Sequence, residues 1–282
     1  YNTNSGTFST SMTLDSLGLI NDARNIIHWP ASGSRSPTND TVLVTDGSAV
    51  LAMLEPGNSP MYTGDFVIGS GPSSGDMSDA MQFNGMIYVG SESYLDRYSI
   101  SQSRWLSAID MGSTVSQIVN DGVNVFVGTL GSGVHIVDAQ GNVLDTWDTN
   151  DGLQSNEISG LDVEGDWVVA IHPQDGVSAF NKSTTGPVVA LTEDNSDLDS
   201  NNPTGVAIHN GVAYIGTPED GLNRYIIAND TFLGSWVSTG INDVDFAPIA
   251  ILGTNPQVLH MGLPGYGVAR KDLSTGEILI PL

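Results

Sequence analysis

Short apolar runs rich in β-branched residues recur along this chain and alternate with polar turns. The clearest example lies in residues 120–160, where two such runs, 124–129 and 133–138, flank a Gly-rich turn. A third run, 143–148, follows, and a polar loop then leads into the next apolar run, 158–163. This pattern predicts β-strands joined by turns rather than helices.

The same unit recurs along the whole chain. Its second and third strands are predicted at 41–54, 86–100, 124–138, 166–180, 212–226 and 258–272. First strands precede them at 23–29, 79–83, 116–119, 157–163, 204–209 and 246–252. Fourth strands follow at 61–68, 104–110, 143–148, 187–191, 231–237 and 277–282. A repeat of about 47 residues with four strands predicts an all-β chain forming one β-propeller domain over residues 1–282, with six four-stranded blades, or seven as the alternative.

The N-terminal residues do not fit this scheme simply. Residues 7–13 have the pattern of a fourth strand, although 277–282 already supplies one for the last unit. Three explanations stay open. Both strands can join one closing blade, the chain can belong to a longer propeller, or residues 1–13 can insert into a neighbouring molecule.

Composition narrows the classes of partner. Eight Lys and Arg residues against thirty-two Asp and Glu give a net charge of −24, and the basic residues are scattered. We therefore expect no binding to nucleic acid and no insertion into a membrane. The absence of cysteine excludes disulfides and thiol chemistry. Because the chain begins with Tyr1, we expect a secreted or cell-surface protein with a processed N-terminus.

Several segments carry a family resemblance. The loop DGLQSNEISGL at 151–161 has weaker echoes at 17–26 and 239–249. Related blade sequences occur at 95–98 (LDRY), 127–129 (VGT), 215–217 (IGT) and 222–225 (LNRY). These segments resemble the two-component-regulator-type propeller repeats, with their "GLPSN" loop and "WVGT…GL.RYD" pattern. The resemblance implies an extracytoplasmic sensory or binding domain.

Loops between the units are the expected binding surface, since rigid blades would present them as a preorganised face. The loops are 17–22, 110–116, 148–156, 193–203 and 238–243. Polar residues that recur at these junctions are the candidate ligand-binding residues Asn21, Asp22, Asn156, Asn202, Asn242 and Asp243. Their alternative role is to fix the junction through hydrogen bonds to the backbone. The predicted function is a non-enzymatic module for a protein or glycan ligand, and the negative charge favours cations, cationic patches or neutral glycans.

Two acidic loops supply oxygen ligands of the kind that calcium prefers. The candidate calcium ligands are Asp148, Asn150, Asp151, Asp194, Asp197 and Asp199. The alternative is that these Asp and Asn side chains form Asx-turns. No other cofactor is predicted.

Three N-glycosylation sequons occur in predicted loops, at Asn39, Asn181 and Asn229. The tryptophans of the fourth strands, Trp105, Trp147 and Trp236, are expected to pack between blades rather than to bind sugar. The five histidines lack the spacing of metal ligands.

Two further function classes stay open. In the first, residues 1–13 exchange between subunits and the protein assembles into an extracellular filament or surface layer. In the second, the protein is a lyase or hydrolase that acts on glycans in the central funnel, through His28, His209 and Arg24.

Overall fold

The computed structural model describes residues 25–29, 41–45, 51–55, 61–65, 72–74, 76–102, 104–183, 188–218, 221–234, 247–252, 258–263, 267–275 and 278–279. These residues form β-strands, turns and one short 3₁₀ helix, Ile227–Asn229. Within the same ranges, no helix has the length and hydropathy needed to span a bilayer. The predicted all-β class is therefore confirmed.

Consecutive strands pair antiparallel, in sequence order, into six sheets of the described residues. Sheet 1 contains β1 (Asn25–Trp29), β2 (Thr41–Thr45), β3 (Leu51–Glu55) and β4 (Met61–Asp65). Sheet 2 contains β5 (Met77–Phe83), β6 (Met86–Ser91), β7 (Tyr94–Ser99), β8 (Arg104–Trp105) and β9 (Ile109–Asp110). Sheet 3 contains β10 (Val115–Asn120), β11 (Val125–Thr129), β12 (Val134–Val137) and β13 (Val143–Trp147). Sheet 4 contains β14 (Gly160–Glu164), β15 (Trp167–His172), β16 (Gly176–Asn181) and β17 (Val189–Leu191). Sheet 5 contains β18 (Gly205–His209), β19 (Val212–Thr217), β20 (Gly221–Ile226) and β21 (Thr231–Phe232). Sheet 6 contains β22 (Ala247–Leu252), β23 (Val258–Leu263), β24 (Gly267–Asp272) and β25 (Ile278–Leu279).

These sheets follow the predicted order of units, five with four strands and sheet 2 with five. Several strand bounds differ from the prediction, and two of the differences have a described cause. The strand predicted at 157–163 begins only at Gly160, because the Ile158 amide donates to the carbonyl of Thr129 in the preceding sheet, at 2.8 Å. The strand predicted at 104–110 is split into β8 and β9, which both pair with β7.

The chain forms two compact units, residues 1–118 and 119–282. The single domain over 1–282 therefore stays a prediction, as does the role of residues 1–13, which lie outside the described residues. In the first unit, the described core contains Met77, Ala80, Ile87, Val89 and Tyr98.

In the second unit, β15 packs apolar side chains on both of its faces. Val168 and Ala170 of β15 belong to a cluster shared with sheet 3, whereas Val169 and Ile171 belong to one shared with sheet 5. Successive side chains of a strand point to opposite faces, so a sheet covered on both sides needs a continuous apolar run. All five residues of β11 are likewise buried.

Candidate functional site

The loop 148–159 between sheets 3 and 4 is fixed by one asparagine. The side-chain oxygen of Asn156 accepts the Thr149 amide at 2.8 Å, and its backbone carbonyl accepts the Gly133 amide at 3.0 Å. Leu153 is buried within the core cluster of the adjoining sheets. The loop is thus held both by hydrogen bonds and by an apolar anchor.

The loop 192–204 between sheets 4 and 5 repeats this arrangement. The Asn201 side chain accepts the Glu193 amide at 2.9 Å, and its carbonyl accepts the Gly176 amide at 2.9 Å. Leu198 is buried three residues before Asn201, as Leu153 is before its asparagine. Two loops of different sequence therefore share one framework.

These contacts place two of the predicted ligand-binding residues. Asn156 fixes its loop to the backbone, which is the alternative role considered for it. Asn202 is exposed, and its neighbour Asn201 holds the equivalent structural position. A ligand-binding role for either residue stays a prediction. The candidates Asn21, Asp22, Asn242 and Asp243 lie outside the described residues.

The first predicted calcium loop uses its carboxylates internally. Asp148 accepts the backbone amide of Asn150 at 2.6 Å and its side-chain amide at 3.1 Å, while Asp151 accepts the Asp148 amide at 3.1 Å. These are Asx-turn contacts. Asp194, Asp197 and Asp199 are exposed on the second loop. The described residues contain no group of three or more His, Asp or Glu suited to a metal ion, and calcium stays a prediction.

A buried polar pair lies beneath the entering loop in sheets 2 and 4 and recurs in sheet 5. It joins the end of the second strand to the third strand, as Ser91–Asp96, His172–Ser178 and Thr217–Asn223. The entering loop donates to it: Ser73 N to Asp96 at 3.0 Å, and Gln154 N to Ser178 Oγ at 3.1 Å. Polar residues at these repeat positions were missed as a group, although each lies within or at the end of an apolar run of the sequence.

His172 is a structural member of this network. It is fully buried, and its Nδ1 lies 3.1 Å from the Glu157 carbonyl, which can only accept a hydrogen bond. Its Nε2 therefore accepts from Ser178 Oγ at 2.8 Å. Burial lowers the pKa of His172 and favours this neutral form. Both ring nitrogens are occupied, so His172 has no free position for a metal.

The other histidines occupy separate places. His135 contacts Thr146 at 3.0 Å, and His209 lies 3.4 Å from Glu164. His260 is half-buried and pairs across the sheet with Arg270. Side-chain contacts of His28, and all of Arg24, lie outside what the structure describes. The described residues therefore show no cluster of these histidines that could act as a catalytic site. The hypothesis of an enzyme acting in the central funnel stays a prediction.

The arginine of the repeated LDRY and LNRY segments forms a hydrogen bond to the backbone that follows the first residues of the outer strand. Arg97 Nη2 donates to the Ser107 carbonyl at 3.1 Å. Arg224 Nη2 donates equivalently to the Leu233 carbonyl at 2.9 Å. The motif is therefore structural in both sheets.

Of the two described tryptophans of the outer strands, Trp147 packs between sheets as predicted, whereas the described ring contact of Trp105 lies within its own sheet. Trp105 meets Tyr98 edge-on at a centroid distance of 5.5 Å, and Trp147 stacks on Phe180 of the next sheet at 4.3 Å. Trp236 lies outside the described residues.

Two of the three predicted N-glycosylation sites, Asn181 and Asn229, lie among the described residues. Asn181 accepts the Ser183 amide at 2.9 Å through its side-chain oxygen. Asn229 is exposed in the 3₁₀ helix, where its carbonyl accepts from Thr231 Oγ1 at 3.0 Å. Asn39 lies outside the described residues. Glycosylation of all three stays a prediction.

Comparison with known proteins relates the fold to solved structures. No family model matches the chain, and no curated protein matches it. The computationally designed Ika8 protein is similar, with a TM-score of 0.65 and 15% identity over 93% of this chain and 75% of that chain. So is the extracellular domain of a putative hybrid two-component system from B. thetaiotaomicron, with a TM-score of 0.65 and 12% identity. That match covers 93% of this chain but 35% of the other protein. At these identities the similarity establishes the all-β fold alone.

Proposed function

We propose that the six sheets are blades of one six-bladed β-propeller of the two-component-regulator repeat type. The protein is then an extracellular, non-enzymatic module that binds a partner carrying a cationic patch. One observation carries the proposal: the loops 148–159 and 192–204 share a fixed framework but differ at their exposed positions.

A fixed framework suits recognition because a preordered loop loses little conformational entropy when it binds. Asn156 and Asn201 hold the two loops by the same bonds, and Leu153 and Leu198 anchor them in the core. Exposed positions are then free to vary without loss of the fold, which is the usual division of labour in binding loops.

Charge indicates the class of partner. The two loops carry Asp148, Asp151, Glu157, Glu193, Asp194, Asp197 and Asp199, and neither contains a Lys or Arg. In a chain of net charge −24 these carboxylates create a local negative potential that attracts cations. We therefore favour a basic protein segment or a cationic glycan, bound in a salt-dependent way.

The extracellular setting is supported by the similar fold of the extracellular domain of the putative hybrid two-component system. It is supported further by the resemblance of residues 151–161 to the loop of extracytoplasmic propeller repeats.

The test uses a decalysine peptide and its fully acetylated form as probes, in calorimetric titrations at low and moderate salt. The loop variant combines Asp151→Asn, Asp194→Asn and Asp197→Asn. A control variant removes the same number of exposed charges elsewhere, by Asp76→Asn, Glu92→Gln and Asp145→Asn.

We expect the loop variant to weaken decalysine binding about tenfold more than the control, since charge-assisted contacts are lost only there. Acetylated peptide should not bind. Equal losses in the two variants would show that binding follows net charge alone, and would refute the proposed site.

A further inference from the structure

A cleft of about 660 Å³ opens in the first unit, between the third and fourth strands of sheet 2. Its wall contains Pro72, Ser73, Asp96, Arg97, Arg104 and Trp105, together with residues 106–108. The cleft is open to solvent and is wide enough for a small molecule. The cleft is separate from the acidic loops of the second unit.

An interruption of the outer strand builds this cleft. β8 pairs with Tyr98 and Ser99, and β9 pairs with Tyr94 and Leu95. Residues 106–108, which connect β8 to β9, form no strand pairs and lie opposite the middle of β7. The Leu106 amide still donates to the Arg97 carbonyl at 2.8 Å, and Arg97 Nη2 donates to the Ser107 carbonyl at 3.1 Å. Arg97 therefore fixes the position of the segment 106–108 through its backbone and through its side chain.

The lining is rich in hydrogen-bond donors. Asp96 is its one carboxylate, and it already accepts from Ser73 N at 3.0 Å, from Ser73 Oγ at 2.7 Å and from Ser91 Oγ. Two arginines, Arg97 and Arg104, belong to the same lining, so two of the eight basic residues of a chain with net charge −24 lie at this cleft.

Arg104 is the distinctive cation of the cleft. It is exposed, and its Nε donates to Gln102 Oε1 at 2.8 Å. Among the described residues it forms no ion pair with a carboxylate. The strand register places Thr231 and Phe232 of sheet 5 at the positions of Arg104 and Trp105. Sheet 5 has the same arginine in its third strand, so the second cation is not required by the repeat fold.

We propose that this cleft binds a small molecule with a carboxylate attached to a ring. Arg104 receives the carboxylate through its planar fork of donors, Arg97 contributes positive potential from the cleft wall, and Trp105 supplies apolar surface for the ring. The anion is favoured locally because the lining contains two arginines, Arg97 and Arg104, against the single carboxylate of Asp96.

The experiment compares matched probes that differ in the carboxylate. Galacturonate is titrated against galactose, and benzoate against benzamide, by calorimetry with the full chain. The variants are Arg104→Gln and Arg104→Lys. Lys271→Gln, which removes one positive charge in the second unit, is the control.

At least one carboxylate should bind while its neutral counterpart does not. Arg104→Gln should weaken that binding about tenfold or more. Arg104→Lys should recover only part of the loss, because lysine lacks the bidentate fork. Thermal unfolding of Arg104→Gln should match the wild type, since the side chain is exposed.

Three results would overturn the proposal: equal binding of acid and neutral probe, no binding of either acid, or unchanged affinity in Arg104→Gln. A loss as large in Lys271→Gln would also overturn it, because the effect would then come from net charge. The outcome is independent of decalysine binding by the loops, so either proposal can fail alone.

Discussion

Substitution of Gly133 by alanine probes the loop framework directly. Gly133 has φ +76°, and a Cβ added there would lie closer than 3.0 Å to the Trp147 carbonyl oxygen and 3.1 Å from its carbonyl carbon. The obstacle is backbone of β13, which cannot rotate away as a side chain can. The Gly133 amide also donates to the Asn156 carbonyl, so any shift disturbs the loop that Asn156 fixes.

The expected cost has two parts. A non-glycine residue in the left-handed region loses about 1–2 kcal/mol. Relief of the overlap with Trp147 by backbone shift adds about 1–3 kcal/mol, the range found for overpacking. We therefore expect Gly133→Ala to lower the free energy of unfolding by about 2–5 kcal/mol.

Gly211→Ala is the matched control. Gly211 has φ +74°, but no atom lies within 4 Å of the added Cβ. This variant therefore carries the conformational cost of about 1–2 kcal/mol without the overlap. Urea unfolding followed by circular dichroism and by tryptophan fluorescence measures both variants. Equal destabilisation in the two would refute the argument that the close approach of β13 demands glycine.

Three further predictions follow from single contacts. Asn201→Ala should lower the free energy of unfolding by about 1–2 kcal/mol, because the side chain loses its hydrogen bond to the loop backbone. Asn202→Ala should change it by less than about 0.5 kcal/mol, as is usual at exposed sites. Urea unfolding measures both variants. Burial raises the pKa of Asp162 from 3.8 to about 6. The contribution of this carboxyl group to the free energy of unfolding should therefore fall as the pH rises from about 4 to about 6. Asp162→Asn should abolish this fall when unfolding is measured against pH. Lys182→Met leaves the buried carboxylate of Asp121 without its cation and should lower the free energy of unfolding by about 1–3 kcal/mol. A double-mutant cycle with Asp121→Asn should show coupling between the two residues, and additive effects would contradict the pairing.

The strand pattern could be predicted from the sequence because each strand is short, apolar and bounded by turn residues. The run 124–129 illustrates this, since β11 covers Val125–Thr129. Sheets buried on both faces favour continuous apolar runs, and the repeat fixes their order. The predicted packing of Trp147 between sheets follows from the same repeat.

The details of the site depended on contacts that no local pattern encodes. Asn156 accepts from an amide seven residues earlier, but Asn201 accepts from one eight residues earlier. Sequence reasoning chose Asn202, whereas its neighbour Asn201 makes the equivalent bonds, and the unequal spacing in the two loops hides this correspondence. The cleft escaped sequence reasoning because it arises where β8 and β9 separate, and the sequence pattern predicted one continuous strand over 104–110.

The central proposal is that the chain folds without a strand from a neighbouring copy and presents its loops to a partner. Light scattering and small-angle X-ray scattering of the purified 282-residue chain test it most directly. The account predicts a monomer of 29.6 kDa with a radius of gyration of about 19 Å, the value for a compact domain of this length. Filaments, or mass that grows with concentration and is abolished by deletion of residues 1–13, would contradict it and support assembly through strand exchange.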